Sequence, residues 1–154
     1  DVGMFDDRDL WLAGVQAAAA RAGRVDHLRV ATGYFSIRSG IDVTESLLAQ
    51  APKLTAIFCF SDEMAMGAMA SSRAAGRRCP EDISIVGFDD IRFARCVDPP
   101  LTTIAQPMRA IGEGTVRLLL HILNGDGTAP ESVTLPHTLT IRSSTAPPRS
   151  GRQT

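Results

Sequence analysis

Short apolar segments alternate with helical segments along this chain, and this alternation limits its possible folds more than any other feature. Predicted strands begin near residues 28, 55 and 83, and the spacing between them fits one strand–helix–strand unit. The segment 54–60 is an almost continuous apolar run, which is typical of a strand buried on both faces. The sequence therefore predicts an α/β fold, in which helices cover both faces of a parallel sheet.

Local capping signals predict where the helices begin and end. Ser61 is a favourable N-cap, and Asp62 and Glu63 follow it in the first turn, where carboxylates suit the helix dipole. Gly76 supplies a left-handed stop for the same helix. The predicted helices cover 8–22, a segment ending near Gln50, 62–75 and 107–123; the predicted strands cover 27–32, 54–60, 83–86, 101–104, 133–135 and 139–141.

Composition argues against several classes of protein. With 16 Lys and Arg against 17 Asp and Glu, the formal net charge is −1, whereas a free-standing nucleic-acid binder normally carries a basic surplus. The longest apolar run is far too short to cross a bilayer, so we predict no membrane association. Cys59, Cys79 and Cys96 are odd in number and widely spaced, which argues against a disulfide framework and for a reducing compartment, and we expect a cytoplasmic protein. We expect Cys59 to be inert and buried, and Cys79 to be a plain exposed cysteine.

Chemically useful side chains follow three of the predicted strands. Phe35, Ser61 and Asp89 come just past the strand ends, and open parallel sheets bind ligands beyond the carboxyl ends of their strands. A carboxylate accepts hydrogen bonds from two neighbouring hydroxyls, a ring stacks on an apolar ligand face, and a hydroxyl fixes orientation. Taken singly, Ser61 is more simply a helix cap and Asp89 a turn residue. Their convergence predicts a crevice for a polyhydroxylated or heterocyclic small molecule.

The sequence gives little support to an enzyme. Asp89 and Asp90 are adjacent, so on most backbones they point apart and make a poor acid–base pair. The histidines lack metal-ligand spacing with one another or with a cysteine. The sequence contains no P-loop, no dinucleotide-binding glycine motif and no nucleophile elbow. We therefore predict a binding protein without catalytic residues, metal or cofactor.

Five segments resemble, in the right order, the successive signatures of the LacI/GalR family of bacterial transcription regulators. They cover 55–59, 61–68, 79–91, 99–107 and 141–145, and the third reads CPEDISIVGFDDI. The resemblance extends over nearly the whole chain. It implies a bilobed, periplasmic-binding-protein-like type I effector domain whose chain crosses three times between lobes. It also implies a helix-turn-helix headpiece that reads an operator in the major groove.

By this resemblance the chain is an incomplete effector domain, mostly its C-terminal lobe. Residues 1–98 would belong to that lobe without its first strand and helix, and 99–136 to a crossover and part of the N-terminal lobe. Residues 137–147 would return to the C-terminal lobe, and 148–154 would be a loose tail. The chain opens with Asp1 rather than Met, so we expect the true N-terminus and the headpiece to lie upstream.

The resemblance also implies roles for individual residues. By position, Phe35 matches the aromatic that stacks on the effector, and Ser61 matches a polar contact to it. Asp89 matches the carboxylate that grips ligand hydroxyls. Gln106 matches a residue of the cleft beside a crossover.

The sequence departs from the family pattern at Trp11. The family usually has an arginine there, which binds effector oxygens, and an indole cannot supply the donors of a guanidinium. Two interpretations stay open. Either Arg8, one turn earlier, reaches the ligand, or the pocket is more aromatic and the ligand lacks the usual oxygen.

The resemblance implies a regulatory function. A sugar or nucleoside-like effector would bind between the lobes, shift the population of lobe arrangements and change the headpiece spacing in a homodimer. The helix from Asp62 and the segment 91–95 are candidates for part of the dimer surface. Two alternatives remain. One is a sugar-binding protein of an ABC transporter, which has the same fold and needs a signal peptide upstream; the other is a small α/β enzyme.

Overall fold

The computed structural model describes residues 7–125 and 132–147. The chain divides into two compact units, one ending at Thr32 and the other beginning at Gly33. Among the described residues, no helix combines the length and the apolar character that crossing a membrane requires. The predicted tail, 148–154, lies outside the described residues.

The first unit is helical. Helix α1 spans Asp7–Arg21, close to the predicted 8–22, and Gly23 follows with a φ of +64°, which glycine adopts without steric penalty. The strand predicted over 27–32 is wrong, because a 3-10 turn covers Val25–His27 and residues 28–32 form no strand. A strand is stable only when a neighbour pairs with its N–H and C=O groups. The described strands include none that pairs with 27–32.

The second unit contains a mixed sheet of four strands. They are β1 (Ala56–Phe58), β2 (Ser84–Asp89), β3 (Thr102–Ala105) and β4 (Thr138–Thr140), and they lie in that order across the sheet. The pairs β1–β2 and β2–β3 are parallel, whereas β4 runs antiparallel to β3. The predicted α/β class is therefore confirmed, with one antiparallel strand added to the parallel part of the sheet.

Two other strand predictions are wrong, since apolar sequence does not reveal which strands find neighbours. The segment 133–135 forms no strand, and Val133 is 76% exposed. Strand β4 pairs with β3 instead. Strand β1, predicted to be buried on both faces, is an edge strand of the described sheet, and its Ala56 and Phe58 are exposed.

Helix α3 packs between the sheet and helix α2 in the second unit. The helices of this unit are α2 (Ile37–Gln50), α3 (Asp62–Ala74) and α4 (Met108–Leu123). The predicted N-cap is confirmed, because the Ser61 hydroxyl accepts a hydrogen bond from the Met64 N–H at 3.2 Å. Helix α3 packs on β2, and α2 packs on α3. The buried core comprises Cys59, Ala65, Ala68, Met69, Ile83, Ile85, Ala94 and Leu101.

Helices α2 and α3 approach so closely that glycine is required on both sides of the contact. A Cβ atom on Gly40 would overlap the backbone of Met64, and a Cβ atom on Gly67 would overlap the backbone carbonyl of Ile37. Backbone atoms inside a hydrogen-bonded helix cannot move aside cheaply. The contact therefore brings the N-terminal parts of both helices together.

Helix α4 differs from α2 and α3 because none of its residues is buried. Its apolar side chains Val116, Leu119, Ile122 and Leu123 are all more than half exposed. An apolar face of this kind commonly marks a surface that contacts another part of a protein.

The segment after β4 closes the second unit by binding the sheet near the starts of β2 and β3. Ser144 is fully buried there. Its hydroxyl accepts a hydrogen bond from the Thr102 N–H at 2.8 Å and donates one to the Ile85 carbonyl at 2.5 Å. One side chain thus satisfies backbone groups of two neighbouring strands.

We expect Ser144→Ala to lower the free energy of unfolding by about 2 kcal/mol, because the buried N–H of Thr102 and carbonyl of Ile85 lose their partner. Urea unfolding of the purified chain measures this change. The neighbouring Ser143 is exposed, so Ser143→Ala is the control and should change stability by about 0.5 kcal/mol at most. Equal losses in the two variants would contradict the prediction.

Candidate ligand-binding site

The carboxyl ends of β1 and β2 bring Ser61 and Asp89 to the same edge of the sheet. Phe58 pairs with Val86 in the parallel register, and Ser61 and Asp89 each follow three residues later. Ser61 is buried and serves as the N-cap of α3. Asp89 is half-buried at the end of β2. The two residues thus occupy equivalent positions relative to two adjacent strands.

Asp89 and Gln106 are in direct contact. The Gln106 side-chain Nε2 donates a hydrogen bond to Asp89 Oδ1 at 2.6 Å, and Gln106 follows Ala105, the residue of β3 that pairs with Asp89. No hydrogen bond from the described residues reaches the second carboxylate oxygen, Oδ2. The structure therefore fixes the carboxylate through one oxygen and leaves the other able to accept hydrogen bonds from a ligand.

The charge state of Asp89 is set by its surroundings. Burial raises the pKa of its carboxyl, and the nearby negative charge of Glu63 raises it further, while the hydrogen bond from Gln106 partly offsets both. A hydrogen-bond donor from a ligand would stabilise the charged form of this carboxyl. Hydroxyl donors of a sugar meet this requirement.

Phe35 lies just before the N-terminus of α2, whose first residues cross α3 near Gly67. Its side chain is 58% exposed, so the ring is available for stacking. Ser61 begins α3, the helix against which this end of α2 packs. The structure thus places Phe35 and Ser61 at the starts of two contacting helices. The binding roles of Phe35, Ser61, Asp89 and Gln106 stay predictions.

Two of the predicted ligand residues, Phe35 and Asp89, have uncommon backbone conformations. Among the described residues, the non-glycine residues with positive φ are Phe35 (50°), Asp89 (110°) and Asp90 (54°). Such conformations cost about 1–3 kcal/mol each, persist only where the surroundings hold them, and cluster at functional sites. Asp89 and Asp90 lie at the end of β2, whereas Phe35 does not follow a strand as predicted, because residues 28–34 form none.

Asp89 and Asp90 have different partners, in line with the expectation that adjacent carboxylates point apart. Asp89 contacts Gln106, whereas Oδ1 of Asp90 accepts a hydrogen bond from the Arg142 guanidinium at 2.6 Å. The two carboxylates are therefore held by different side chains rather than by one another.

Asp62 is a residue of the site region whose role the sequence analysis missed. It is fully buried rather than a solvated first-turn carboxylate. Its Oδ1 accepts a hydrogen bond from the Thr103 hydroxyl at 2.5 Å, and its Oδ2 accepts one from the Ile91 N–H at 2.8 Å. A Cβ atom on Gly87 would overlap this carboxylate, so a glycine in β2 makes room for it. The available sequence signal for this packing was Gly87, a glycine flanked by apolar residues in β2.

We expect Asp62→Ala to lower the free energy of unfolding by about 2–3 kcal/mol, because the buried Thr103 hydroxyl and Ile91 N–H lose their acceptor. Asp62→Asn is the matched control. Its amide oxygen can accept from Ile91 and its NH₂ can donate to Thr103, so the loss should stay within about 1 kcal/mol. Urea unfolding at neutral pH separates the two, and an equally large loss in both variants would contradict the assignment.

The same carboxyl should make stability depend on pH. Burial raises the pKa of Asp62, the negative charges of Asp89 and Asp90 add to this, and hydrogen bonds from Thr103 and Ile91 oppose it. The folded state therefore binds the proton more tightly than the unfolded state, and this contribution to stability declines as pH rises above about 4. Asp62→Asn removes this contribution. The free energy of unfolding of the variant, relative to that of the original chain, should therefore increase as the pH is raised from about 4 to about 7. Urea unfolding across this range tests the prediction, and a difference independent of pH would contradict it.

Burial raises the pKa of two of the three cysteine thiols. Burial raises the pKa of the Cys59 thiol to about 12, consistent with the predicted inert residue. Cys79 was predicted to be exposed, and this is wrong: it is half-buried, and its thiol contacts the Ser144 carbonyl at 3.4 Å. Burial raises its pKa to about 11. No group of three or more potential metal ligands occurs in the described part of the chain.

Arg8 and Trp11 belong to α1 of the first unit. The side chain of Arg8 lies outside the described part of the structure. The contributions predicted for both residues therefore stay predictions.

The fold defines the class of protein. It is an α/β domain whose sheet carries polar side chains at the carboxyl ends of its parallel strands, the edge at which open sheets of this class bind ligands. The family described as periplasmic binding protein-like domain matches residues 3–145. The chain belongs to this family, and its relatives place it among the regulators of the LacI type, as the sequence resemblance predicted.

Three known proteins illustrate the relationship. The transcriptional repressor CytR of Escherichia coli K12 is 41% identical over 135 residues, which are 87% of this chain and 40% of CytR. A LacI-family regulator from Enterococcus faecium with bound ribose superimposes with a TM-score of 0.81 at 34% identity, over 90% of this chain and 51% of that protein. The lac repressor dimer bound to operator and an anti-inducer gives a TM-score of 0.77 at 34% identity, over 87% of this chain and 46% of the repressor chain. This chain thus spans about 40% of the length of its curated relative CytR.

Proposed function

We propose that this chain is the effector-binding and dimerisation part of a LacI-type transcriptional regulator. A sugar or nucleoside-like molecule binds between two lobes and controls operator binding by a headpiece that lies outside this chain. Residues 1–98 and 137–147 contribute to the C-terminal lobe, and 99–136 form a crossover and part of the N-terminal lobe. The regulator acts in the cytoplasm as a homodimer.

The observation that carries this proposal is the contact between Asp89 and Gln106 across the ends of β2 and β3. One carboxylate oxygen is held by the amide, and the other faces no donor among the described residues. Vicinal hydroxyls of a sugar supply such donors, and the exposed ring of Phe35 offers a stacking surface. The bound ribose in the Enterococcus faecium relative agrees with a ligand of this class.

The surfaces of the second unit are consistent with the proposed assembly. The exposed apolar face of α4 provides the contact to the rest of the N-terminal lobe. Phe93 is 69% exposed in the 3-10 turn Arg92–Arg95, and this turn together with α3 forms part of the dimer surface. The lac repressor relative is a dimer bound to operator.

Effector binding changes the population of lobe arrangements, and the arrangement sets the spacing of the two headpieces on DNA. Trp11 departs from the family pattern, in which an arginine binds effector oxygens. The ligand is therefore sought among ribose, ribonucleosides and disaccharides.

The test uses the protein expressed from its full reading frame. Fluorescence anisotropy measures its binding to DNA from the region upstream of its own gene, with and without ribose, cellobiose and ribonucleosides. We expect at least one ligand to change the DNA affinity by about fivefold or more. Absence of DNA binding, or conversion of the ligand into a product, would contradict the proposal.

A further inference from the structure

Strand β2 ends in an uncommon backbone conformation that continues into the next residue. Asp89 and Asp90 are consecutive non-glycine residues with φ values of 110° and 54°. Strained residues of this kind persist only where contacts from the surrounding structure hold them. The contacts to these residues therefore decide how the carboxylate of Asp89 is presented.

Gln106 contacts Asp89 itself, and contacts from three further residues hold Asp90 and Ile91. The Ile91 N–H donates to Asp62 Oδ2 at 2.8 Å, and the Asp90 N–H contacts the Thr103 hydroxyl at 3.4 Å. The Asp90 carboxylate receives the third contact, from the Arg142 guanidinium at 2.6 Å. This ion pair is the only one of the three that reaches the segment after β4.

Arg142 is itself fixed at several points. Its Nη1 donates to the Leu101 carbonyl at 2.7 Å, and its backbone N–H donates to the Thr102 hydroxyl at 2.9 Å. The side chains of Arg142 and Asp90 are 15% and 18% exposed, so the pair is shielded from most of the water that weakens surface ion pairs. A guanidinium that bridges two acceptors in a fixed plane holds them in a defined geometry.

We propose that Arg142 is a positioning residue for ligand binding, which acts through Asp90 to hold Asp89 in its strained conformation. Because Arg142 lies just after β4, the ion pair links the ligand carboxylate to the segment assigned to the return between lobes. The link between ligand and lobe movement rests on the proposed function. The positioning of Asp89 rests on the contacts alone.

The first experiment needs no ligand. Amide hydrogen exchange is compared between the original chain, Arg142→Gln and the control Arg78→Gln, whose arginine pairs with Asp82 at 3.0 Å elsewhere on the molecule. We expect exchange in peptides covering 88–91 to become about tenfold faster in Arg142→Gln, since a charge-assisted contact is lost. Peptides from α2 and α3 should stay unchanged in both variants. Unchanged exchange at 88–91 in Arg142→Gln would overturn the proposal.

The second experiment measures ribose binding by calorimetry, with the protein from its full reading frame. We expect Arg142→Gln and Asp90→Asn each to weaken binding about tenfold, and the double variant to be no weaker than either, because both remove one ion pair. Arg142→Lys should restore part of the affinity, since it keeps the charge. Additive losses, or no recovery with lysine, would overturn the proposal. If the original protein does not bind ribose, the proposed function fails for this sugar, and the exchange experiment alone decides the role of Arg142.

Discussion

Asp89→Ala should weaken ligand binding by at least about a hundredfold while the protein stays folded, because two charge-assisted hydrogen bonds to ligand hydroxyls are lost. Calorimetric titration with the effector found among ribose, cellobiose and ribonucleosides measures the change. Asp89→Asn separates charge from shape. Asparagine tolerates positive φ but lacks the negative charge. The affinity of Asp89→Asn for the ligand should therefore lie between that of the original protein and that of Asp89→Ala.

The control for this experiment is Asp82→Asn. Asp82 is an aspartate of the same unit, paired with Arg78, and it precedes β2, whereas Asp89 ends that strand and pairs with Gln106. Its replacement should leave the affinity unchanged. Unaltered affinity in Asp89→Ala would refute the site assignment, and an equal loss in both variants would show that the effect is not specific to the site.

The largest expected effect on stability comes from Gly67→Ala, which should lower the free energy of unfolding by about 4 kcal/mol or more. The added methyl group would overlap the Ile37 carbonyl and the backbone of Gly40 and Ile41. Neither helix can relieve this overlap by rotating a side chain, so α2 and α3 must separate and expose core surface. Since domains are stable by only about 5–15 kcal/mol in total, circular dichroism and urea unfolding should detect the loss readily.

Gly114→Ala provides the matched control in α4. A Cβ atom at this position has open space around it, so the substitution should stabilise the helix by about 0.5–1 kcal/mol through reduced backbone entropy. If Gly67→Ala were as stable as Gly114→Ala, the close approach of α2 and α3 would be contradicted.

The elements that the sequence predicted well are those whose signals are local. Ser61 and Gly76 mark the start and stop of α3 through capping and backbone chemistry that depend on a few neighbouring residues. The strands 83–86 and 101–104 also formed close to their predicted positions. Both segments are apolar runs, and in the folded chain they pair with each other as β2 and β3.

The predictions that failed depend on distant parts of the chain. The segments 27–32 and 133–135 have the composition of strands, but pairing requires a neighbour that composition does not specify. Asp62 carries the signal of a solvated first-turn carboxylate. Its partners Thr103 and Ile91 lie 41 and 29 residues away along the chain. The residues next to Asp62 in the sequence therefore do not indicate that it is buried.

The candidate site divides in the same way. Asp89 and Ser61 could be predicted because they follow strands, and the rule that ligands bind beyond strand ends needs no coordinates. The contact between Asp90 and Arg142 spans 52 residues. Aspartate tolerates positive φ, but its presence does not by itself predict the φ values of Asp89 and Asp90, and an aromatic residue gives no such signal at Phe35. The strain and the contacts that maintain it emerge only from the folded chain.

A crystal structure of the protein from its full reading frame, with its effector bound, tests the central claim most directly. We predict that both carboxylate oxygens of Asp89 lie within hydrogen-bond distance of donors, with ligand hydroxyls on Oδ2 and the Gln106 amide still nearby. An effector bound elsewhere, with Asp89 contacting only Gln106, would contradict the account.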